Sequence, residues 1–186
     1  MLAREAAEDG RFEEALALAM LLLDADPAHC DGRFICSLSL LMLDRPEEAR
    51  AILDPFVSEF PGYPDAAWLR AGLLRRMLHE THPDILAAYD LVAAVDADNL
   101  YAHVERAEVL RAHGRYDEAR GCYSDILRSA ACTDMGLRTE AAFNLGCVAL
   151  VLGDTEAARM GFEQALQADP GHVDAAEMLA LLVDTE

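Results

Sequence analysis

The run Thr139–His172, TEAAFNLGCVALVLGDTEAARMGFEQALQADPGH, decides the fold. It holds two helical patterns separated by Gly153-Asp154 and closed by Asp169-Pro170-Gly171. With Gly153 as an anchor, Ala158 stands five residues on, Phe162 nine on and Pro170 seventeen on. Gly114 repeats this with Ala119, Tyr123 and, in place of the proline, Ala131. Asp44 gives Ala49, Leu53 and Pro61, and Gly10 gives Ala15, Ala19 and Pro27. The local strings agree: GRFEEA, DRPEEA, GRYDEA and GDTEAA. Gly10 and Asp44 are 34 residues apart, a spacing at which helix pairs stack into arrays.

Each feature has a physical reason. Glycine at the anchor suits the left-handed conformation that closes a helix. Acidic residues just after it favour the positive end of the next helix. Alanine five residues on lets two helices approach, and the residue nine on fills the space beside it. Asp-Pro stops the second helix, because proline cannot continue the hydrogen-bond ladder. Ala and Leu dominate and no alternating β-branched run occurs, so no sheet is expected.

This pattern resembles the tetratricopeptide repeat (TPR) family. The family's first-helix signature is matched by Leu145-Gly146 and by Trp68 with Gly72, while Ala3, Ser37 and Ala107 are the small residues at the equivalent site elsewhere. The resemblance implies an all-α, right-handed solenoid of about five TPR-like helix pairs with a C-terminal capping helix. One domain over 1–186 is expected, with a partial repeat at 1–29, full repeats at 30–63, 64–99, 100–138 and 139–172, and a cap at 173–184. The short first repeat suggests an excised piece of a longer protein. Helices are expected to begin near Leu2, Phe12, Cys30, Pro46, Asp65, Pro83, Leu100, Tyr116, Met135, Thr155 and Val173. The middle repeat departs most: its turn is HETHPD at 79–84, and Ile85 stands where alanine is expected. A five-residue excess at Ala130–Met135 is expected to lengthen a turn.

Composition narrows the function. The formal net charge is −19, which opposes binding to nucleic acid or anionic lipid. No run is apolar enough for a membrane span, and Ala15–Leu23 follows two glutamates rather than a basic cluster, so no signal peptide is read there. All 15 basic residues are Arg, so any cationic contact is a guanidinium suited to planar recognition of carboxylates. Cys30, Cys36, Cys122, Cys132 and Cys147 form no CxxC and read as thiols of a reducing, cytoplasmic compartment. His79 and His82 are two imidazoles without a third ligand nearby and read as a polar turn. No catalytic, cofactor or metal site is expected, and the chain is read as no enzyme.

In the TPR resemblance the first helix of each repeat lines a concave groove through positions two, five, nine and twelve. Carried over, this gives Asp31, Phe34, Leu38 and Leu41; Ala66, Leu69, Leu73 and Arg76, with Arg70 adjacent; Tyr101, Val104, Glu108 and Arg111; and Glu140, Phe143, Cys147 and Leu150, with Asn144 adjacent. The expected partner contacts are Phe34, Leu38, Leu41, Leu69, Arg70, Leu73, Arg76, Tyr101, Val104, Arg111, Phe143 and Asn144. They suit a peptide or helix of another protein, and Leu41→Glu or Leu73→Glu is expected to abolish binding without unfolding. Self-association is the alternative, and a docking or regulatory segment of a larger enzyme is a third reading. The co-chaperone clamp of the family needs Lys, which this chain lacks.

Overall fold

The computed structural model describes residues 2–183. Among them are eleven α-helices and no strand: α1 Leu2–Glu8, α2 Phe12–Ala25, α3 Cys30–Met42, α4 Pro46–Glu59, α5 Pro64–Met77, α6 Pro83–Val95, α7 Leu100–Ala112, α8 Tyr116–Arg128, α9 Met135–Val151, α10 Thr155–Ala168 and α11 Val173–Val183. Every helix starts where the punctuation places it except α5, which begins at Pro64 rather than Asp65. Residue 184, the expected end of the cap, lies outside the described residues.

The turn chemistry follows the anchors. Gly10, Gly114 and Gly153 have φ of 75°, 70° and 77°, and among the described residues Asp44 is the non-glycine residue with positive φ, at 60°. The left-handed conformation is thus taken at all four anchors, with the short polar aspartate standing in once for glycine. Ala15, Ala49, Ala119 and Ala158 are all fully buried, as are Ala19, Leu53, Tyr123 and Phe162.

The chain divides into two compact units, Met1–Asp96 and Ala97–Glu186. In the first, α1/α2, α3/α4 and α5/α6 pack as successive pairs, and the first helices also touch, α1 with α3 and α3 with α5. Its core joins Ile35, Leu40, Leu53, Phe56 and Leu73. In the second, α7/α8 and α9/α10 pair, α7 touches α9, and α11 covers α10. Ala142, Phe162, Ala165 and Ala175 form its core cluster. Each pair leaves an apolar face that only its neighbour can cover, which is why such elements stack.

The excess before α9 does more than lengthen a turn. Asp134 caps the helix by accepting from the Leu137 amide at 3.1 Å, so helix starts early and α9 runs 17 residues against 13 in α3 and α7. The extra turn, 135–138, projects beyond the length of the other first helices.

Candidate functional site

The small buried residue on each first helix sets the register of its inner face. It is Ala3 in α1, Ser37 in α3, Ala107 in α7 and Gly146 in α9. In α5 it is Ala71, which is fully buried, whereas Gly72 is exposed with no atom within 4 Å of a Cβ built on it. The Trp68–Gly72 signature therefore misplaces this repeat by one residue. In the same register, the residues of α5 that correspond to Asp31, Phe34, Leu38 and Leu41 are Asp65, Trp68, Gly72 and Arg75, not Ala66, Leu69, Leu73 and Arg76. The burial agrees: Asp65, Gly72 and Arg75 are exposed, while Ala66 and Leu73 are 0% and 2% exposed. A one-residue step turns a helix by about 100°, enough to exchange groove for core.

In the first unit, Phe34 and Leu38 are half-buried and face outward from α3. Phe34 lies 6.1 Å from the Tyr63 ring, and Trp68 lies edge-on to Tyr89 at 6.0 Å. Leu69 is half-buried in the core cluster, and Leu41 is only 9% exposed. A glutamate at Leu41 or Leu73 would bury a charge without a partner, so neither substitution leaves the fold intact as expected from sequence. Asp31 accepts from Arg4 Nη2 at 3.1 Å and from the Tyr63 hydroxyl at 2.9 Å. The Tyr63 bond, with Arg4 behind it, holds the Asp31 carboxyl below its ordinary range. Burial and the bond to Asp31 push Tyr63 up to about 12. Arg70 and Arg76 are engaged: Arg70 Nε donates to Asp54 at 2.7 Å, and Arg76 pairs with Asp44 across an exposed contact.

In the second unit, the exposed Tyr101 donates to the Asp134 carboxylate at 2.8 Å, and Val104 is buried at 6% exposure, a core rather than a contact position. Arg111 reaches Glu108 Oε1 at 3.0 Å and Asn144 Oδ1 at 2.9 Å, so Asn144 is spent on Arg111. The buried Tyr123 hydroxyl donates to the same Glu108 oxygen at 2.7 Å, and burial with that bond raises the phenol far above its ordinary value. Phe143 lies 5.7 Å from Phe162 and 4.8 Å from the His172 ring. Burial pushes the half-buried Cys147 thiol up, away from reactivity. An open pocket of about 580 Å³ lies between the start of α9, the end of α10 and the start of α11, with Met135, Glu140, Phe143, Asp169, His172 and Asp174 on its walls. Sequence reasoning missed this pocket, and it missed Asp65, Trp68 and Arg75, for which the buried Ala71 is the signal.

The polar residues weighed for chemistry serve local structure. His29, His82 and His172 accept helix-starting amides through Nδ1 (Gly32, Asp84 and Ala175), and His79 bonds Thr81 at 3.0 Å. All five cysteines are free thiols. Among the described residues no His/Cys/Asp/Glu group is arranged to hold a metal ion, and no helix is long and apolar enough to cross a membrane.

Solved structures share this fold at low identity. MamA aligns with a TM-score of 0.77 at 16% identity over 94% of this chain and 98% of its own. MamA 41-end from Desulfovibrio magneticus RS-1 gives 0.72 at 12% over 92% and 93%. YrrB, a TPR protein with an unusual peptide-binding site, gives 0.78 at 15% over 95% and 87%. These likenesses fix the fold class, an all-α solenoid. No curated protein matches the chain. The tetratricopeptide-repeat family pattern matches residues 1–64 and 143–184, more than half of the sequence, and the chain belongs to the tetratricopeptide repeat family.

Proposed function

We propose that the chain is a non-catalytic protein-interaction scaffold that holds an extended or helical segment of another protein on the inner faces of its first helices. The observation that supports this is the inner face of α3 and α5. There Phe34, Leu38 and Trp68 stand half-buried, and Gly72 is exposed with no atom within 4 Å of a Cβ built on it. Apolar side chains left partly uncovered on neighbouring helices are what a bound segment can cover. YrrB, with its peptide-binding site, is the precedent for a ligand of this class on this fold. The arginines contribute differently from the sequence expectation. Arg76–Asp44 is an exposed pair, with side chains 55% and 82% accessible, and such pairs contribute about 1 kcal/mol or less. A partner carboxylate can displace Asp44 at little cost, whereas Arg70 and Arg111 are more firmly held.

The test is affinity capture from host lysate with the native chain and a Leu38→Glu/Gly72→Glu variant whose helicity matches by circular dichroism. A protein retained by the native chain and lost from the variant, and then shown to bind directly when purified, supports the groove. Equal retention by both places binding elsewhere. A second reading, self-association, draws on exposed apolar side chains in the two units: Met20 and Leu21 on α2, and Val173 and Leu181 on α11, each 54–64% accessible. Mass that grows with concentration in light scattering would favour it.

A further inference from the structure

Among the described residues, five helices begin with the same bond. The residue before the helix accepts from the amide three residues on: His29 from Gly32 at 3.0 Å, Asn99 from Ala102 at 3.1 Å, Asp134 from Leu137 at 3.1 Å, Asp154 from Ala157 at 3.0 Å and His172 from Ala175 at 3.2 Å. Each bond satisfies an amide that the helix itself leaves without a partner. The acceptors differ in one respect. The oxygens of Asn99, Asp134 and Asp154 accept hydrogen bonds throughout the range of about pH 5 to pH 8, whereas an imidazole nitrogen accepts only while it is unprotonated.

The two histidines hold equivalent places. A shift of 143 residues (29 to 172) maps His29, Asp31 and Gly32 onto His172, Asp174 and Ala175. The residue whose amide is capped is also a contact with the preceding second helix. Gly32 is buried, and a Cβ on it would stand 3.1 Å from the Leu23 side chain and 3.4 Å from that of Leu22, both on α2. Ala175 is fully buried and shares a core cluster with Ala165 of α10. The amides that the histidines hold therefore lie where α3 stacks on α2 and where α11 stacks on α10.

The charges around the two rings do not replace that bond. Asp31 acts on His29, and it already accepts from Arg4 of α1 and from Tyr63 ahead of α5. On the loop before α3, Arg33 reaches the Pro27 carbonyl and Asp26 accepts from the Ala28 amide. His172 shares the open pocket with Glu140 of α9, Asp169 after α10 and Asp174 of its own helix. Carboxylates attract a protonated ring, but an imidazolium has only N–H groups to offer and stands at the positive end of the helix. His103 and His113 behave oppositely: their rings donate to the Ala97 and Val109 carbonyls, a bond that either charge state can make. His82 is the weaker case, accepting from the Asp84 amide at 3.3 Å with the Asp84 carboxylate 3.8 Å away.

We propose that His29 and His172 make two stacking contacts of the array, α3 on α2 and α11 on α10, sensitive to acid. Neutral, each ring caps its helix. Protonated, it releases the amide and sets a positive charge at the positive end of the helix. Both are positioning residues. The folded chain needs the neutral rings and the unfolded chain does not, so stability falls as pH drops through the range in which imidazoles take up protons, about pH 7 to pH 6. That step lies above the range in which carboxylates take theirs. On the scaffold reading Phe34 and Leu38 ride on α3, so partner binding weakens in the same step; the assignment of the caps does not depend on that reading.

The experiment measures amide exchange in the isotope-labelled full chain at about pH 7.5 and about pH 5.5, as protection relative to an unfolded amide at the same pH. Gly32 and Ala175 are expected to lose protection at least threefold on acidification. Ala102, Leu137 and Ala157, capped by Asn99, Asp134 and Asp154, are expected to keep theirs and serve as controls within the molecule. His29→Asn/His172→Asn supplies caps that do not titrate. It is expected to hold all five amides at both pH values and to reduce the acid-induced fall in Tm by about 2–4 °C for each cap. His29→Ala/His172→Ala is expected to melt lower already at pH 7.5 and to show the same reduced fall. Equal loss at all five amides, no loss at Gly32 and Ala175, or an asparagine variant whose Tm falls with acid as that of the native chain does would overturn the assignment. The readout sits at the helix starts, so its failure leaves the groove to be judged by the Leu38/Gly72 variant.

Discussion

At the scale of single residues, two glycines show how closely the repeats are fitted. A Cβ on Gly161 would stand 2.7 Å from the Gly146 nitrogen, 2.8 Å from its Cα and 3.0 Å from the Ala142 carbonyl. All three are backbone atoms, so no rotamer change relieves the clash. On Gly146 the added atom would meet the buried Phe162 ring at 2.6 Å. Gly72, also inside a helix, has open space around it. The helix-propensity gain from glycine to alanine is about 1 kcal/mol at either site, but overpacking a close contact costs about 1–3 kcal/mol. Gly161→Ala is therefore expected to lower the urea midpoint, and Gly72→Ala to raise it. Shifts of the same sign would mean that α9 and α10 do not meet through these residues.

At the scale of elements, the contact between α4 and α5 is fastened by one carboxylate. Asp54 on α4 accepts from Arg70 of α5 at 2.7 Å and from Arg50 one turn back at 3.1 Å. Burial raises the Asp54 carboxyl, but the bonds from Arg70 and Arg50 outweigh it and hold the group below its ordinary range. A depressed carboxylate contributes stability that is full above its unfolded value, about 3.9, and is lost as pH falls through the folded value. Asp54→Asn is expected to lower Tm at pH 7 and to flatten its fall between about pH 5 and pH 2. Asp31, depressed by Tyr63 and Arg4, leaves part of that fall in place. An acid profile parallel to that of the native chain would remove Asp54 from the account. The elements themselves were legible in the sequence, because Gly, Asp and Pro act locally and leave a readable mark at each helix end. The phase of α5 was not. Ala71 and Gly72 are both small, and only burial shows which of them faces the neighbouring helix. That single step decided whether Leu73 or Gly72 lay on the surface. The pocket at α9 was hidden for a related reason. It opens where the start of α9, the end of α10 and the start of α11 meet, and a repeat pattern built on small and bulky positions does not register the space between helix ends.

At the scale of the molecule, the repeats share their stability with neighbours, and the question is how far that sharing extends. Ion pairs give little guidance, since many lie three or four residues apart on one exposed helix face, as Arg45–Glu48, Arg115–Glu118 and Arg159–Glu156 do. Pairs of this kind contribute only tenths of a kcal/mol each. Apolar burial therefore carries the fold. In the second unit it is self-contained: α8 packs on α7 and α9, α9 on α10, and α11 closes α10 through the fully buried Ala175. Nearest-neighbour coupling predicts that such a run holds together once several helices are stacked. Residues 97–186, expressed alone, are thus expected to show helical circular dichroism and a cooperative thermal transition. A fragment with a coil spectrum would mean instead that the second unit depends on the first, and that the repeats fold as one continuous array.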